Sequence, residues 1–200
     1  MVATVHILIL AAGASSRMRG TDKLMQPVGG KPLLRHIAEV ALGTGNPVTV
    51  TLPLLASARQ AALDGLPLRL IPVSDANEGM SRSLVRGVQA FADAGSSDGL
   101  MVLPADMPGF TTAALDRLIA EFRADPSRIL RGGTPEGRPG HPAIFPRDLW
   151  PALAQVNGDE GGRSVVQANK DRVRVIPLPG RMAILDLDTP EDWAAWRADL

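Results

Sequence analysis

Leu10-Ala11-Ala12-Gly13-Ala14-Ser15-Ser16-Arg17-Met18-Arg19-Gly20-Thr21-Asp22-Lys23 is the stretch from which the rest of the chain is read. It follows Val5-His6-Ile7-Leu8-Ile9-Leu10, an apolar run that predicts a buried strand. It precedes Pro32-Leu33-Leu34, where a helical pattern opens. The stretch is therefore a long loop at the carboxyl end of a first strand, the place where open α/β sheets bind ligands. Its small side chains let backbone N–H groups approach an anion closely. Arg17 and Lys23 add full positive charges. The same residues also make an ordinary glycine turn with solvated cations, and residue types alone do not separate the two readings.

Working outward, Leu33, Leu34, Ile37, Val40 and Ala41 recur at helical spacing and stop near Gly43-Thr44-Gly45. Residues 47–52 are β-branched and predict a second strand. Residues 56–63 predict a short helix, residues 68–73 a third strand, and Ser83, Leu84, Val88 and Phe91 a helix that ends at Asp93-Ala94-Gly95. Gly99-Leu100-Met101-Val102-Leu103 is apolar throughout, as a central parallel strand should be. Leu115, Leu118, Ile119 and Phe122 mark an amphipathic helix capped by Thr111 or Thr112. Strands alternating with helices predict a single α/β domain over residues 1–200, three layers deep, with a mostly parallel sheet. After residue 128 the rhythm breaks. Residues 132–140 are turn-rich and predict an exposed excursion. Short strands are expected at 143–145, 173–176 and 183–188, with a helix around Leu149, Leu153 and Val156. Thr189-Pro190-Glu191-Asp192 has the form of a helix start, with Thr as cap and Pro in the first turn.

Composition narrows the chemistry. The 200 residues carry 45% hydrophobic side chains and no net charge, which gives no footprint for nucleic acid or an anionic membrane surface. There is no cysteine, so disulfides and thiolate metal sites are excluded, and the three histidines are far apart in the chain, a pattern that does not point to a histidine zinc site. Oxygen-ligand metal chemistry is left, which suits magnesium. No run approaches the roughly 20 apolar residues of a membrane span, and the N-terminal apolar run is too short and lacks the basic flank of a secretory signal. A cytoplasmic protein is expected.

Carboxylates supply the next clues. Asp106, in Pro104-Ala105-Asp106-Met107-Pro108, follows the central strand and should stand beside the opening loop. Asp186 and Asp188 alternate on a predicted strand, so they share a face. Two aspartates so placed need water or a cation. If they and Asp106 lie close with no cation between them, they repel each other and weaken the fold slightly.

The loop is neither of two familiar phosphate binders. Gly13 and Gly20 are too far apart for a P-loop, Lys23 is followed by Leu24, and Gly13-Ala14-Ser15-Ser16 is not a dinucleotide fingerprint. The pattern L-A-A-G-x-S-x-R-M, followed shortly by K-L, resembles the MobA-like NTP transferases, and within them the molybdenum cofactor cytidylyltransferases. This chain departs from them in carrying Arg19 before Gly20. Further matches follow in order: Gly79-Met80-Ser81-Arg82-Ser83-Leu84, Ala105-Asp106-Met107-Pro108, Gly140-His141-Pro142, Gly158-Asp159-Glu160-Gly161 and Asp188-Thr189-Pro190-Glu191-Asp192.

The resemblance implies a three-layer α/β/α nucleotidyltransferase fold. It implies that Leu10, Ala11, Ala12, Gly13, Ala14, Ser15, Ser16, Arg17, Lys23, Gly79, Ser83, Ala105 and Asp106 surround a nucleoside triphosphate. Arg17, Lys23 and Asp106 would be catalytic, with Mg2+ held by Asp106 and by Asp186 or Asp188. His141, Asp159 and Glu160 would face the acceptor. The implied donor is CTP, from Ala-Ala-Gly at 11–13 where the guanylyl branch has Ala-Gly-Gly. The implied acceptor is molybdopterin, with a molybdoenzyme or its chaperone as a further partner. A sugar phosphate or other phosphorylated metabolite as acceptor, guanylyl transfer, and a non-catalytic nucleotide-binding regulatory domain are the alternatives.

Overall fold

The computed structural model of the protein describes residues 2–76, 79–92, 97–158 and 161–199. Among these residues the main sheet has seven strands, in the order Arg69–Val73, Val48–Pro53, Val5–Leu10, Gly99–Pro104, Pro139–Pro146, Ile129–Gly133, Val173–Pro177. The first four in chain order are β1 (Val5–Leu10), β4 (Val48–Pro53), β5 (Arg69–Val73) and β6 (Gly99–Pro104). They run parallel, with Ile7 opposite both Val48 and Met101. The short hairpin β2 (Pro27–Val28) and β3 (Lys31–Pro32) stands apart from the sheet. The far half holds β7 (Ile129–Gly133), β8 (Pro139–Pro146) and β9 (Val173–Pro177). β8 is antiparallel to both of its neighbours.

Alternation along the strands builds two separate cores. Val5, Ile7 and Ile9 pack with Leu33, Leu34 and Ile37 of α1 (Leu33–Leu42), and with Leu115 and Ile119 of α4 (Thr112–Ala124). Leu63 of α2 (Ser57–Leu63) and Trp193 of α7 (Pro190–Ala198) join them. Leu8, Leu100 and Val102 point the other way, onto Leu84, Val85 and Val88 of α3 (Met80–Ala92). Leu153 of α5 (Trp150–Leu153) and Val165 of α6 (Arg163–Ala168) complete that side. Helices thus cover both faces of a mostly parallel sheet, as the strand–helix rhythm predicts. α3 can approach β1 closely because Gly87 lacks a side chain: a Cβ there would lie 2.3 Å from the Leu8 side chain.

Two expectations fail, both in the second half. Gly132 and Gly133 are buried at the end of β7, and β8 runs for eight residues, so between the two strands only residues 135–138 are exposed. The glycines there serve close packing, since a Cβ on Gly132 would meet the His141 carbonyl at 2.2 Å. Residues 183–188 are not a strand. They form an irregular segment held at two points: Ala183 O accepts from His141 N at 2.7 Å, and Leu187 N donates to Asp106 O at 3.2 Å. The alternation of Ile184, Leu185, Asp186, Leu187 and Asp188 mimics a strand because the segment lies flat on the core, burying Ala183 and Leu187. Asp93, Ala94 and Gly95, read as a helix stop, lie outside the described residues.

Gly140 lets that segment in. A Cβ at residue 140 would lie 1.9 Å from the Ala183 carbonyl oxygen, and backbone cannot yield as a side chain can. Gly140→Ala is therefore expected to push the 183–188 segment outward at a cost of about 1–3 kcal/mol, as other overpacked interiors show. For a chain of this size each kcal/mol lowers Tm by about 2–4 °C. Thermal unfolding followed by circular dichroism checks this, and an unchanged Tm contradicts the docking described here.

Candidate active site

Three chain segments converge at the carboxyl end of β6. Asp106 follows β6 directly. Lys23 comes from the opening loop, and Asp188 from the C-terminal segment. Lys23 Nζ lies 2.6 Å from Asp106 Oδ2 and 2.6 Å from Asp188 Oδ1. Arg17 Nη1 reaches Asp188 Oδ2 at 2.6 Å. Two cations and two carboxylates therefore form one balanced group. The expected repulsion between the aspartates does not arise, because the ammonium between them cancels it. Burial alone would depress the Lys23 pKa, but the Asp106 and Asp188 carboxylates more than reverse this and hold it above the usual lysine range.

Local sequence explains why Asp188 points here. Thr189 caps α7: its side-chain oxygen accepts from Asp192 N at 3.1 Å, and the Asp192 carboxylate accepts from Thr189 N at 2.9 Å. The same carboxylate accepts from Asp188 N at 3.2 Å. Asp188 is thus fixed from its own backbone, while Leu187 is tied to Asp106 one residue earlier. Asp186 is exposed and stands outside this group, its charge instead acting on His141. Among the described residues no cluster of three or more His, Asp or Glu forms a metal cage. Two carboxylates do converge on a single point that a cation already fills, and a divalent ion needs only one or two protein carboxylates. The donor set is hard oxygen, so it fits such an ion at Asp106 and Asp188.

The loop is shaped by a second pair that sequence reading missed. Arg59 of α2 is only 6% exposed. Its Nε donates to Asp22 Oδ2 at 2.7 Å, its Nη2 to Asp22 Oδ1 at 2.8 Å, and its Nη1 to Ala11 O at 2.6 Å. Asp22 in turn accepts from Leu24 N and from the Ser15 hydroxyl. The start and end of the loop are thereby clamped together. This supports left-handed backbone at Ser15 (φ 52°) and Arg19 (φ 51°), which costs non-glycine residues energy. The outcome is a shallow hollow of about 260 Å³ lined by Ala14, Ser15, Ser16, Gly20, Thr21, Asp22 and Arg59. One signal was available: Arg59 sits at i−3 and i−4 from Ala62 and Leu63, on the buried side of a short helix.

The other expected residues fall into place unevenly. Leu10 ends β1, Ala11 and Ala12 are buried beneath the loop, and Gly13, Ala14, Ser16 and Arg17 are exposed on it. Ala105 is buried beside Asp106. Gly79 enters α3 with φ 121°, a left-handed approach suited to glycine. Ser81 and Ser83 both lie within α3 and are buried there. His141 is exposed at the start of β8, within reach of the Asp106 and Asp186 charges. Partial desolvation and then the Arg131 charge depress its pKa, against the pull of those two aspartates. Asp159 and Glu160 lie outside the described residues.

The model of the MobA-like NTP transferase domain matches residues 7–173. The chain belongs to the MobA-like NTP transferase family. Among its relatives, the nicotine blue oxidoreductase of Paenarthrobacter nicotinovorans is 30% identical over 197 residues, covering 92% of each chain. A probable molybdenum cofactor guanylyltransferase of Nostoc sp. is 27% identical over 190 residues, covering 94% of this chain and 87% of the relative. The crystal structure of Rv0371c from Mycobacterium tuberculosis superposes with a TM-score of 0.83 at 27% identity, covering 98% of each chain. Its complex with manganese gives 0.80 at 25% identity, covering 99% of this chain and all of the other.

The Asp22–Arg59 clamp carries an acid signature. Burial raises the Asp22 pKa, but the Arg59 bonds and charge outweigh it, leaving the carboxyl below its usual range. A depressed folded-state pKa adds stability above the unfolded value of about 4, and that stability is lost as pH falls through the folded value. Asp22→Asn is expected to lower Tm at pH 7. The gap to wild type should close as pH drops below about 4. Tm measured against pH on both proteins checks this; a gap that does not narrow in acid contradicts it.

Proposed function

We propose that this MobA-like NTP transferase moves a cytidylyl group from CTP to a phosphorylated small molecule of the molybdopterin type. The observation that carries the reading is the pair of Lys23 bonds that gather Asp106 and Asp188 beside the N–H-rich loop. An acceptor phosphate oxygen attacks the α-phosphorus, the bond from that phosphorus to its bridging oxygen breaks, and pyrophosphate leaves. The nucleophile is already ionised, so no general base is required, and catalysis reduces to positioning and charge neutralisation.

Exposed N–H groups of residues 13–16 and Arg17 hold the triphosphate. Lys23 neutralises charge around the α-phosphate. Asp106 and Asp188 would hold a divalent ion, Mg2+ in this reading, which would supply further charge neutralisation. Lys23 and Arg17 are engaged with carboxylates before the nucleotide arrives, so they become available to phosphate only in exchange. His141, with Asp159 and Glu160, is assigned to the acceptor side. CTP is favoured over GTP by Ala11-Ala12-Gly13, whereas the Nostoc relative's name favours GTP. A redox reading is favoured by the name of the Paenarthrobacter relative. A chain working that way consumes an electron carrier and releases no pyrophosphate.

Exchange at Lys23 makes the metal and nucleotide mutually dependent. The Tm is expected to rise far more with CTP and a divalent cation together than the sum of their separate effects, because a ligand that binds only the folded state stabilises it. Additive shifts contradict the exchange.

Turnover is checked by pyrophosphate release with CTP or GTP and candidate phosphorylated acceptors. Lys23→Ala and Asp106→Asn are each expected to lower kcat on the order of 100-fold or more, as removal of a group that meets transition-state charge does. Wild-type protein that binds no nucleoside triphosphate in the presence of a divalent cation overturns the reading.

A further inference from the structure

Arg131, midway along β7, is half-buried and its charge acts on His141, yet no function has been attached to it. Alternation places it. Ile129 packs into the core under α3, and Leu130 packs into the opposite core. Arg131 therefore emerges on the α3 side of the sheet. On β8 its carbonyl partner Gly140, in the stretch where the β7–β8 register shifts, is the residue before His141, so the guanidinium lies beside His141. Beyond the last β6–β8 pair, Val102 opposite Ala143, the chain at His141 lies toward the carboxyl end of β6, where the Asp106 charge acts on it. Arg131 is thus reached from Asp106 by way of His141.

The guanidinium has an unusual set of partners. Its Nε and Nη2 both donate to one oxygen, the Gly140 carbonyl, at 3.2 and 3.0 Å. Among the described residues no carboxylate pairs with it. Arg59 shows what a structural arginine looks like in this protein: it also clasps a carbonyl, but its charge is met by both oxygens of Asp22. A clasp on Gly140 needs only a neutral donor. A partly desolvated charge with no counter-ion is costly unless an anion completes it. A guanidinium edge left over from that clasp presents the paired donors that suit phosphate.

We propose that Arg131, together with His141, forms a phosphate-binding subsite for the acceptor on the side of Asp106 away from the nucleotide loop. The inference rests on the nucleotidyl-transfer reading and deepens it. It divides the cleft in two: triphosphate at residues 13–23, acceptor phosphate at Arg131, and Asp106 between them. The subsite recognises a phosphate monoester dianion, and the rest of the acceptor adds further contacts.

Phenyl phosphate is the probe, because it carries a monoester phosphate and no base, ribose or pyrophosphate. It is titrated into the full chain by calorimetry, with and without the nucleoside triphosphate and divalent cation that raise Tm most. The wild type is expected to bind it in both states, since the two subsites are separate. Arg131→Gln keeps a donor for Gly140 but loses the charge. It is expected to weaken phenyl phosphate binding at least tenfold while leaving nucleotide affinity within about twofold. Unchanged phenyl phosphate binding in Arg131→Gln overturns the proposal while leaving nucleotidyl transfer standing. So does probe binding that vanishes when nucleotide is present, because the probe then occupies the loop. If no nucleotide raises Tm, the transfer reading falls and the acceptor role falls with it. Should Arg131→Gln fail to fold, the wild type alone decides. Phenyl phosphate is expected to slow phenylglyoxal modification of Arg131, mapped by mass spectrometry with nucleotide bound. No protection there overturns the proposal as well.

Discussion

Lys23 donates to carboxylates that are 83 and 165 residues away in the chain. One ammonium therefore joins the first loop, the central strand and the C-terminal segment. Hydrogen bonds between charged partners are stronger than neutral ones, and this one is shielded from water, with the lysine side chain only 14% exposed. Its geometry is inherited rather than local. Asp106 is placed by β6, Asp188 by the α7 capping box, and Lys23 by the clamp between Arg59 and Asp22 that closes the loop around it. Each support is made from elements whose hydrophobic faces are buried on their own account. The polar centre is thus held by apolar packing that does not depend on it.

That arrangement explains what could be read from the amino-acid sequence. The parallel half follows from periodicity: Val5–Leu10 and Gly99–Pro104 are apolar because both of their faces are covered, and the helices between them show their inward faces plainly. The loop, Lys23 and Asp106 were legible because they sit at strand ends, where residue type is not dictated by packing. The Thr189–Asp192 cap was legible because capping is a short-range event. Residues 183–188 were misread because an apolar run ending in Asp-Leu-Asp has a strand's pattern, whereas here it lies irregularly on the core and buries Ala183 and Leu187, four residues apart. Hydrophobic alternation reports burial, and the backbone pairing that defines a strand leaves no separate trace.

The turn-rich reading of residues 132–140 failed for a related reason. Glycine marks a turn when it relieves backbone conformation, but it also marks a place where two backbones come within touching distance. At Gly132 and Gly140 the second cause operates, against the His141 and Ala183 carbonyls. The Arg59–Asp22 clamp was missed because it is a contact between a loop and a helix 37 residues later, and neither partner belongs to a recognisable pattern. Long-range ion pairs of this kind are visible only once the fold has brought the two ends together.

The reversed direction of β8 has a consequence for how such a scaffold diversifies. Its neighbours on one side present their carboxyl ends to the cleft, whereas β8 presents its amino end, at Gly140 and His141. That end of the sheet is consequently assembled from two sets of connections that share no residues: those leaving β1 and β6, and the hairpin turn at 134–138 with the chain entering β8. Lengthening or rewriting that exposed turn leaves the loop at 11–23 and its clamp untouched. Selection can therefore retool one wall of the cleft while the opposite wall stays as it is, and a single architecture can acquire new reaction partners by small edits to one hairpin.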